Sequence, residues 1–469
     1  MSSPSNRPQN LLSYLRMQGP TLSSELVAHF GISRATLSRR VNELGEAIVS
    51  IGKGRATQLA ARHEDASEDT PLYQVQTSGQ VALIGRLVPI RAASQTHWWL
   101  QADPLPRSLT KDEFKDGLYP GWPWFLDDLR PAGFLGRAFG KSMAEVFQID
   151  ENPEKWSDLE LLRTLVTYGF NLPGNFILGD GRALSEYQQH RAERTNSRYR
   201  NITPELYPDF AEFSLDEGEE YGSSAGGEQP KFTTMVYKAP EATPCAVIVK
   251  FSSKLDVSAA TGRRWADLLH AEHIANQVLR EAGFTTAHTR ILHIEERIFL
   301  ESERFDRVDY SGRRGLVSLR ALDAAYIGQG SGSWADCARK LHAAKWISSA
   351  DLERITQLYC FGQLIANSDM HFGNLSFFLP DEAPPYPLAP VYDMLPMHFR
   401  PSGTGEVIER QFEPKLPKPE DEAAWLEMHP LAINYWQQVQ QCPDISTEFQ
   451  QIAKEAIAAL RHIHKIATS

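Results

Sequence analysis

Near the N-terminus the apolar positions fall into short amphipathic runs separated by turn residues. Leu11, Leu12, Leu15 and Met17 recur at helical spacing over Asn10–Met17, and Gly19-Pro20 ends that run. A second run, Leu22–Phe30, turns Leu26, Val27 and Phe30 inward, with Thr21 as its expected cap. Gly31-Ile32-Ser33 then supplies a tight turn and a new N-cap serine, and Arg34–Leu44 turns Leu37, Val41 and Leu44 inward. The outward positions of this third helix are expected to be Arg34, Thr36, Ser38, Arg39, Arg40 and Asn42, side chains suited to base edges and phosphates. Ala47–Ile51, the basic turn Gly52-Lys53-Gly54-Arg55 and Ala56–Leu59 read as strand, turn and strand. Three helices followed by a basic hairpin predict a winged helix-turn-helix over residues 1–62, with Lys53 and Arg55 at the wing tip on duplex DNA.

Beyond it, Glu64, Asp65, Glu68 and Asp69 among small residues predict an acidic linker over 63–70. Short alternating runs (Tyr73–Gln76, Gln80–Arg86, Trp98–Gln101) predict strands, and Tyr119–Leu126 is an aromatic, proline-rich stretch better explained as packed core than as a ligand pocket. A mainly helical region follows from Gly136 to Gly174, and these elements together form an expected subdomain over 71–197. Strand-like runs then surround one helix, Arg264–Glu281, within 198–307, and helix dominates from Ser348 within 308–469. Mixed strands with one helix, then mostly helix, is the order of a two-lobed kinase. The predicted class is α+β, a winged helix-turn-helix fused to a two-lobed protein kinase-like fold.

Length and charge sharpen that division. At 469 residues the chain exceeds the roughly 250–300 that one hydrophobic core supports. Residues 1–62 hold eight Lys/Arg against three Asp/Glu, while the remainder holds 40 against 56, so the two parts suit different partners. The longest apolar candidate for a membrane span, Val81–Ile90, is interrupted by Arg86, and Leu11–Leu15 is too short for a secretory core. Cys245, Cys337, Cys360 and Cys442 form no C-x-x-C pair. A cytoplasmic protein with no membrane partner is expected, and no zinc site is signalled.

The strongest chemical signal is Asn367-Ser368-Asp369-Met370-His371-Phe372-Gly373-Asn374, placed directly after an amphipathic helix. Asp followed five residues later by Asn is a kinase catalytic-loop spacing: Asp369 accepts the hydroxyl proton and Asn374 reaches back to Mg2+. A predicted hairpin, Leu375–Leu379 returning through Leu388–Val391, delivers Asp393 as a second metal ligand. Upstream, an apolar strand ends at Lys250, placed to pair with ATP phosphates, and Glu272 in the next helix is placed to hold it. Glu303-Arg304-Phe305 stands where a hinge between lobes belongs, with backbone and Phe305 suited to adenine. Gly222-Ser223-Ser224-Ala225-Gly226-Gly227, closed by Lys231, is a loop whose amides suit phosphate, although it matches neither G-x-G-x-x-G nor a Walker A pattern. His371 is expected to orient the loop rather than react.

In order, Ser224-x-x-Gly227-x-Gln229-Pro230-Lys231, Val249-Lys250, Glu272, Glu303-Arg304-Phe305-Asp306-Arg307, Asp369-x-His371-x-x-Asn374 and Tyr392-Asp393 resemble the HipA family of bacterial serine/threonine kinase toxins. Pro123–Pro131 is similar to that family's N-terminal segment, so the resemblance runs from about Leu72 to the C-terminus. It implies transfer of the γ-phosphate of ATP to a protein serine, with Asp369 as base and Asn374 and Asp393 on Mg2+. It also implies Lys231 and Lys250 at the nucleotide phosphates, Glu303 and Phe305 at adenine, and autophosphorylation of the loop at Ser224 or its neighbour Ser223. Two added charges beside a triphosphate would repel it. Family members act on protein substrates, often an aminoacyl-tRNA synthetase, and pair with a separate helix-turn-helix antitoxin. This chain departs from them in carrying its own winged helix, as the YjjJ-like subgroup does, which puts antitoxin dependence in question. Ser368 and Met394 replace the arginine and Phe-Gly of eukaryotic kinases, so activation-loop control of that type is not expected.

Two other readings compete. One is a transcription regulator whose kinase-like part senses a nucleotide or small molecule without phosphotransfer; the other is a small-molecule kinase, which shares the Asp-x-x-x-x-Asn loop. A homodimer on palindromic DNA is an open alternative to a monomer, with no heptad pattern to mark it.

Overall fold

A computed structural model describes residues 8–66, 68–192, 203–218, 229–237, 243–255 and 259–468. The N-terminal unit has helices Pro8–Gln18, Ser23–Phe30 and Arg34–Leu44, with a three-stranded sheet in the order Thr21–Leu22, Gln58–Ala61, Ile48–Ile51. Leu11, Leu15, Leu26, Leu37, Ile48 and Leu59 form its core. The Ser33 hydroxyl accepts the Thr36 amide at 3.1 Å, the predicted cap of the third helix. Gly31 ends the second helix at φ +59°, a conformation costly for any residue with a Cβ.

Two local expectations are corrected. Thr21 caps nothing: it pairs with Leu59 in the sheet and donates its hydroxyl to the Gly19 carbonyl. Arg40 does not face outward; it is 5% exposed, because positions 37, 40, 41 and 44 are the i, i+3, i+4, i+7 face that packs on the core. Arg34, Ser38, Arg39, Lys53 and Arg55 are exposed as expected, and Thr36 is half-buried against Ser33.

The wing is part of a larger apolar contact. Val49, Ile51 and Ala60 pack against Val88 and Ile90 of the next sheet, with Trp99 and Leu118 alongside. Arg62 bridges to Ile90, the His63 amide donates to the Pro89 carbonyl, and Arg62 ion-pairs with Asp69. Both ends of the stretch read as a linker are thus tied to the second sheet, His63 at Pro89 and Thr70 opposite Leu87. The second sheet is antiparallel in the order Leu118–Pro120, His97–Gln101, Val81–Ile90, Thr70–Val75, Phe176–Leu178. Tyr119, Trp124, Phe125 and Leu126 are buried in the core beneath it, as the packing reading expected.

The small lobe is a four-stranded antiparallel sheet in the order Thr289–Ile294, Arg297–Glu303, Cys245–Phe251, Lys231–Val236. Strand alternation divides its side chains: Val247, Val249, Phe251 and Phe299 face Tyr207 and Ala211, while Ile298 and Leu300 meet Ala266 and Leu269 of helix Ala259–Glu281. That helix also buries Leu268, Ala271, Ala275 and Val278 in the core of the helical lobe, so it belongs to both lobes. The helical lobe is built on Trp334–Ala343, Ser349–Leu364, Glu422–Gln441 and Thr447–Ala467. Asp306, just past the hinge strand, binds Arg304 at 3.0 Å, Arg307 at 2.6 Å and the Gly174 amide at 2.9 Å, fastening the hinge to the preceding subdomain. Among the described residues no helix is long and apolar enough to cross a membrane.

Candidate active site

Strand Cys245–Phe251 places Lys250 in the interior, 6% exposed, where its Nζ lies 2.7 Å from both carboxylate oxygens of Glu272 and 2.5 Å from Asp393 Oδ1. Burial works against the lysine's charge, but Asp393 and Glu272 more than offset it and raise its pKa, so it stays an ammonium. For Asp393, burial is outweighed by Lys250, Lys231 and His371, which hold the carboxyl below its ordinary value. Burial pushes the Glu272 carboxyl up, with Lys250 pulling against it. Lys231 lies opposite Lys250 in the strand register, which brings the second predicted lysine to the same place.

The segment Asn367–Asn374 reaches this cluster through main-chain hydrogen bonds. Helix Ser349–Leu364 ends at Ile365, and Ala366 takes φ +60° to turn the chain out of it. Asn367 then accepts the Asp369 amide at 3.0 Å and donates to the Asp393 carbonyl at 3.4 Å. Asn374 donates its side-chain amide to the Asp369 carbonyl at 2.9 Å, closing the loop from the other side. His371 caps the intervening turn by accepting the Gly373 amide at Nδ1, the orienting part expected of it. Tyr392 donates to the Gly373 carbonyl at 2.8 Å and shares a 2.7 Å hydrogen bond with Ser376.

Asp393 itself has φ +53°, a strained conformation for a non-glycine residue that is held by its surroundings. The expected hairpin is looser than predicted. Ser376–Leu379 pairs along Gly315–Ser318, and its return is a single bridge from Phe377 to Leu388. What positions Asp393 is a crossing to the other lobe, where Val391 exchanges two backbone hydrogen bonds with Thr285 and Ala287 just beyond helix Ala259–Glu281.

Glu303 ends the hinge strand opposite Val247, with its amide given to the His288 carbonyl and the Arg304 amide to the Ala246 carbonyl. Those two amides are therefore engaged within the protein. Phe305 lies edge-on to Phe378 and 5.7 Å from the Tyr392 ring, on the hinge side of the Asp393 segment. Ser223, Ser224 and the glycines of the loop lie outside the described residues. A cleft of about 620 Å³ lined by Arg304, Arg307, Arg313 and His190 is a separate feature, because none of Lys250, Glu272, Asp369, Asn374 or Asp393 lines it.

The structure thus joins Lys231, Lys250, Glu272, Asp393, Asp369 and Asn374 into one hydrogen-bonded and charged constellation, with Phe305 beside it. Sequence reasoning passed over Asn367 and Tyr392 as working parts. The signal for Asn367 was present, since an asparagine two residues before the loop aspartate is placed for an Asx turn.

Comparison with known proteins agrees with this geometry. Residues 66–187 match the middle domain of YjjJ-like toxins, and residues 223–466 match the HipA-like C-terminal domain. Toxin YjjJ of Escherichia coli K12 is 36% identical over 461 residues, which cover 97% of this chain and 98% of that protein. The chain belongs to the HipA-like toxin family. Within it, the fold is similar to that of HipA from Shewanella oneidensis MR-1, solved with HipB and operator DNA, at a TM-score of 0.52 and 16% identity. That likeness covers 85% of this chain and 99% of the Shewanella chain. The HipA-like match takes in the hinge, the lysine strand and both aspartate segments, so the residues joined above lie within the shared fold.

Proposed function

We propose that this HipA-like chain is an ATP- and Mg2+-dependent protein serine/threonine kinase that phosphorylates a cellular protein and its own glycine-rich loop at Ser224 or Ser223. The observation that carries the reading is the buried Lys250 ammonium, bound by Glu272 and Asp393 and joined through Asn367 to the Asp369 loop. Asp369 accepts the serine hydroxyl proton as the oxygen attacks the γ-phosphorus and the bond to the β-phosphate oxygen breaks. Lys250, aligned by Glu272, binds phosphate oxygens, and Lys231 adds a second positive charge beside it. Asp393, kept ionised, and the Asn374 amide oxygen are hard oxygen donors that fit Mg2+ and would hold it. When bound, that ion supplies charge neutralisation on the phosphates. Glu303 and Phe305 border the adenine position.

DNA is the proposed second partner, through Arg34, Thr36, Ser38, Arg39, Lys53 and Arg55. The Shewanella relative was solved with HipB and operator DNA; here the first unit supplies a helix-turn-helix within the chain, which makes a separate antitoxin dispensable for operator binding. The protein substrate is taken to be of the aminoacyl-tRNA synthetase class, and the site of action the cytoplasm.

The test is phosphate transfer to protein by wild type and Asp369→Asn with Mg2+ and ATP. Removing a general base is expected to slow transfer by about 10²–10⁴-fold. Equal rates would sink the mechanism, and ATP binding with no phosphoprotein from wild type would favour a nucleotide-sensing regulator instead.

A further inference from the structure

Away from Lys250 and Asp369, one buried side chain has no part in phosphotransfer. His270 lies on helix Ala259–Glu281, is 5% exposed, and its Nε2 has no hydrogen-bond partner among the described residues. A polar nitrogen taken out of water in this way costs free energy unless something engages it. Two potential ligands stand beside it. One nitrogen of His270, the Cys442 sulfur and a carboxylate oxygen of Asp444 lie within 4.8 Å of one another.

Cys442 and Asp444 belong to the turn between helices Glu422–Gln441 and Thr447–Ala467. That turn is already docked on the histidine's helix. Asp267, three residues before His270, accepts the Ser446 amide at 2.8 Å and the Ser446 hydroxyl at 2.6 Å. The donors are therefore brought together by a contact that needs no metal, which lowers the ordering cost of binding one.

We propose that His270, Cys442 and Asp444 bind a divalent ion of the zinc class, with the fourth position left to water or to His293. The donor set decides the class: nitrogen, thiolate and carboxylate suit Zn2+, whereas Mg2+ takes oxygen. Bonds of about 2.0–2.3 Å in a tetrahedron give ligand–ligand edges of roughly 3.3–3.8 Å, so the donors close in by about an ångström. Asp444 is exposed and Cys442 half-exposed on their turn, which leaves them room to do so. The His293 ring centre is 5.3 Å from that of His270, on an exposed edge of the small lobe. Burial, with His293 next, pushes His270 down to about 4, so at neutral pH it is in the uncharged form that ligates. Cys442 has no disulfide partner. Ligation displaces its thiol proton to solvent.

The ion pins the turn to the helix two residues before Glu272, the residue that holds Lys250. The site shares no residue with the phosphotransfer cluster and can fail or hold independently of it.

The experiment titrates the full-length, chelator-treated protein with Co2+ and follows thiolate-to-cobalt charge-transfer absorption. Wild type is compared with Cys442→Ser and Asp444→Asn, with Asp393→Asn reporting on Co2+ at the oxygen site. Expected is a saturable band with one ion per chain in wild type and in Asp393→Asn, bleached by Zn2+ and unaffected by Mg2+. It should vanish in Cys442→Ser and weaken in Asp444→Asn by at least the roughly tenfold that losing even an outer-shell partner costs. Asp444 is exposed and Cys442 half-buried against the helical core, and a melting curve in chelator checks that each variant folds as wild type does. No band in wild type, or a band unchanged in Cys442→Ser, overturns the site.

Discussion

Lys250 is the residue on which most of the site's charge balance depends. Its ammonium stands between Glu272 and Asp393, so Lys250→Met leaves two carboxylates facing each other in the interior. Removing one partner of such a buried group costs about 3–5 kcal/mol, which urea unfolding will read. The pH dependence follows from the direction of each shift. Asp393 is lowered, so its contribution is present above the unfolded carboxyl value near 3.9 and is lost as pH falls below it. Lys250 is raised, so its contribution is complete below the unfolded lysine value near 10.4 and is lost as pH climbs past it. Without the ammonium, burial and mutual repulsion raise the Glu272 and Asp393 carboxyls in the variant, so the stability gap between wild type and Lys250→Met should narrow as pH falls and those carboxyls take up protons, and narrow again above about pH 10 as Lys250 loses its charge; a gap independent of pH contradicts this. That Lys250, Asp369, Asn374 and Asp393 come together could be expected from the sequence, because their types and spacings match one arrangement. Tyr392 was not legible, and of Asn367 only its local turn was, because hydrogen bonds to main-chain carbonyls 19 and 26 residues away leave no mark in local spacing.

At the scale of elements, helix Arg34–Leu44, proposed above to meet DNA, separates two arginines adjacent in sequence. Arg39 is exposed and Arg40 lies on the packed face. Arg39→Ala should weaken binding to duplex DNA and reduce the salt slope by about 1, while Arg40→Ala should leave the slope unchanged and lower the melting temperature. Fluorescence anisotropy across a salt series distinguishes them, and equal slopes for the two variants would count against this face. The helix bounds were read correctly from periodicity, and Arg40 was misplaced because its charge was given more weight than its position in that period. The hinge offers a second case. Burial alone would raise the Asp306 carboxyl, but Arg304 and Arg307 hold it well below its ordinary range. Asp306→Asn should therefore cost about 3–5 kcal/mol and flatten the loss of stability that wild type shows as pH falls below about 4. Stability of the variant matching wild type at neutral pH would contradict the pairing. The motif Glu303–Arg307 was visible in sequence, whereas its attachment to residues 171–174 was not, since that contact joins segments some 130 residues apart.

Across the whole molecule, the order of units was readable because each has its own periodicity: amphipathic helices and a basic hairpin, then alternating strands, then one helix within strands, then helices. Their junctions were harder. The acidic stretch at 63–70 has linker composition, yet its ends pair with the neighbouring sheet and the wing's apolar face packs on Val88 and Ile90. Composition reports solvation of side chains and says little about where the backbone hydrogen bonds go. In the same way, the residues that reach Asp393 from the other lobe are scattered along the chain, and only folding brings Thr285 and Ala287 against Val391. The central claim is that this assembled cluster transfers phosphate. Its most direct test is the intact mass of phosphatase-treated, full-length protein before and after incubation with Mg2+ and ATP, with Asp369→Asn alongside and fragments mapped. The account predicts a gain of one phosphate on Ser223 or Ser224 in wild type alone. No gain in wild type that still binds ATP, or an equal gain in Asp369→Asn, would contradict it.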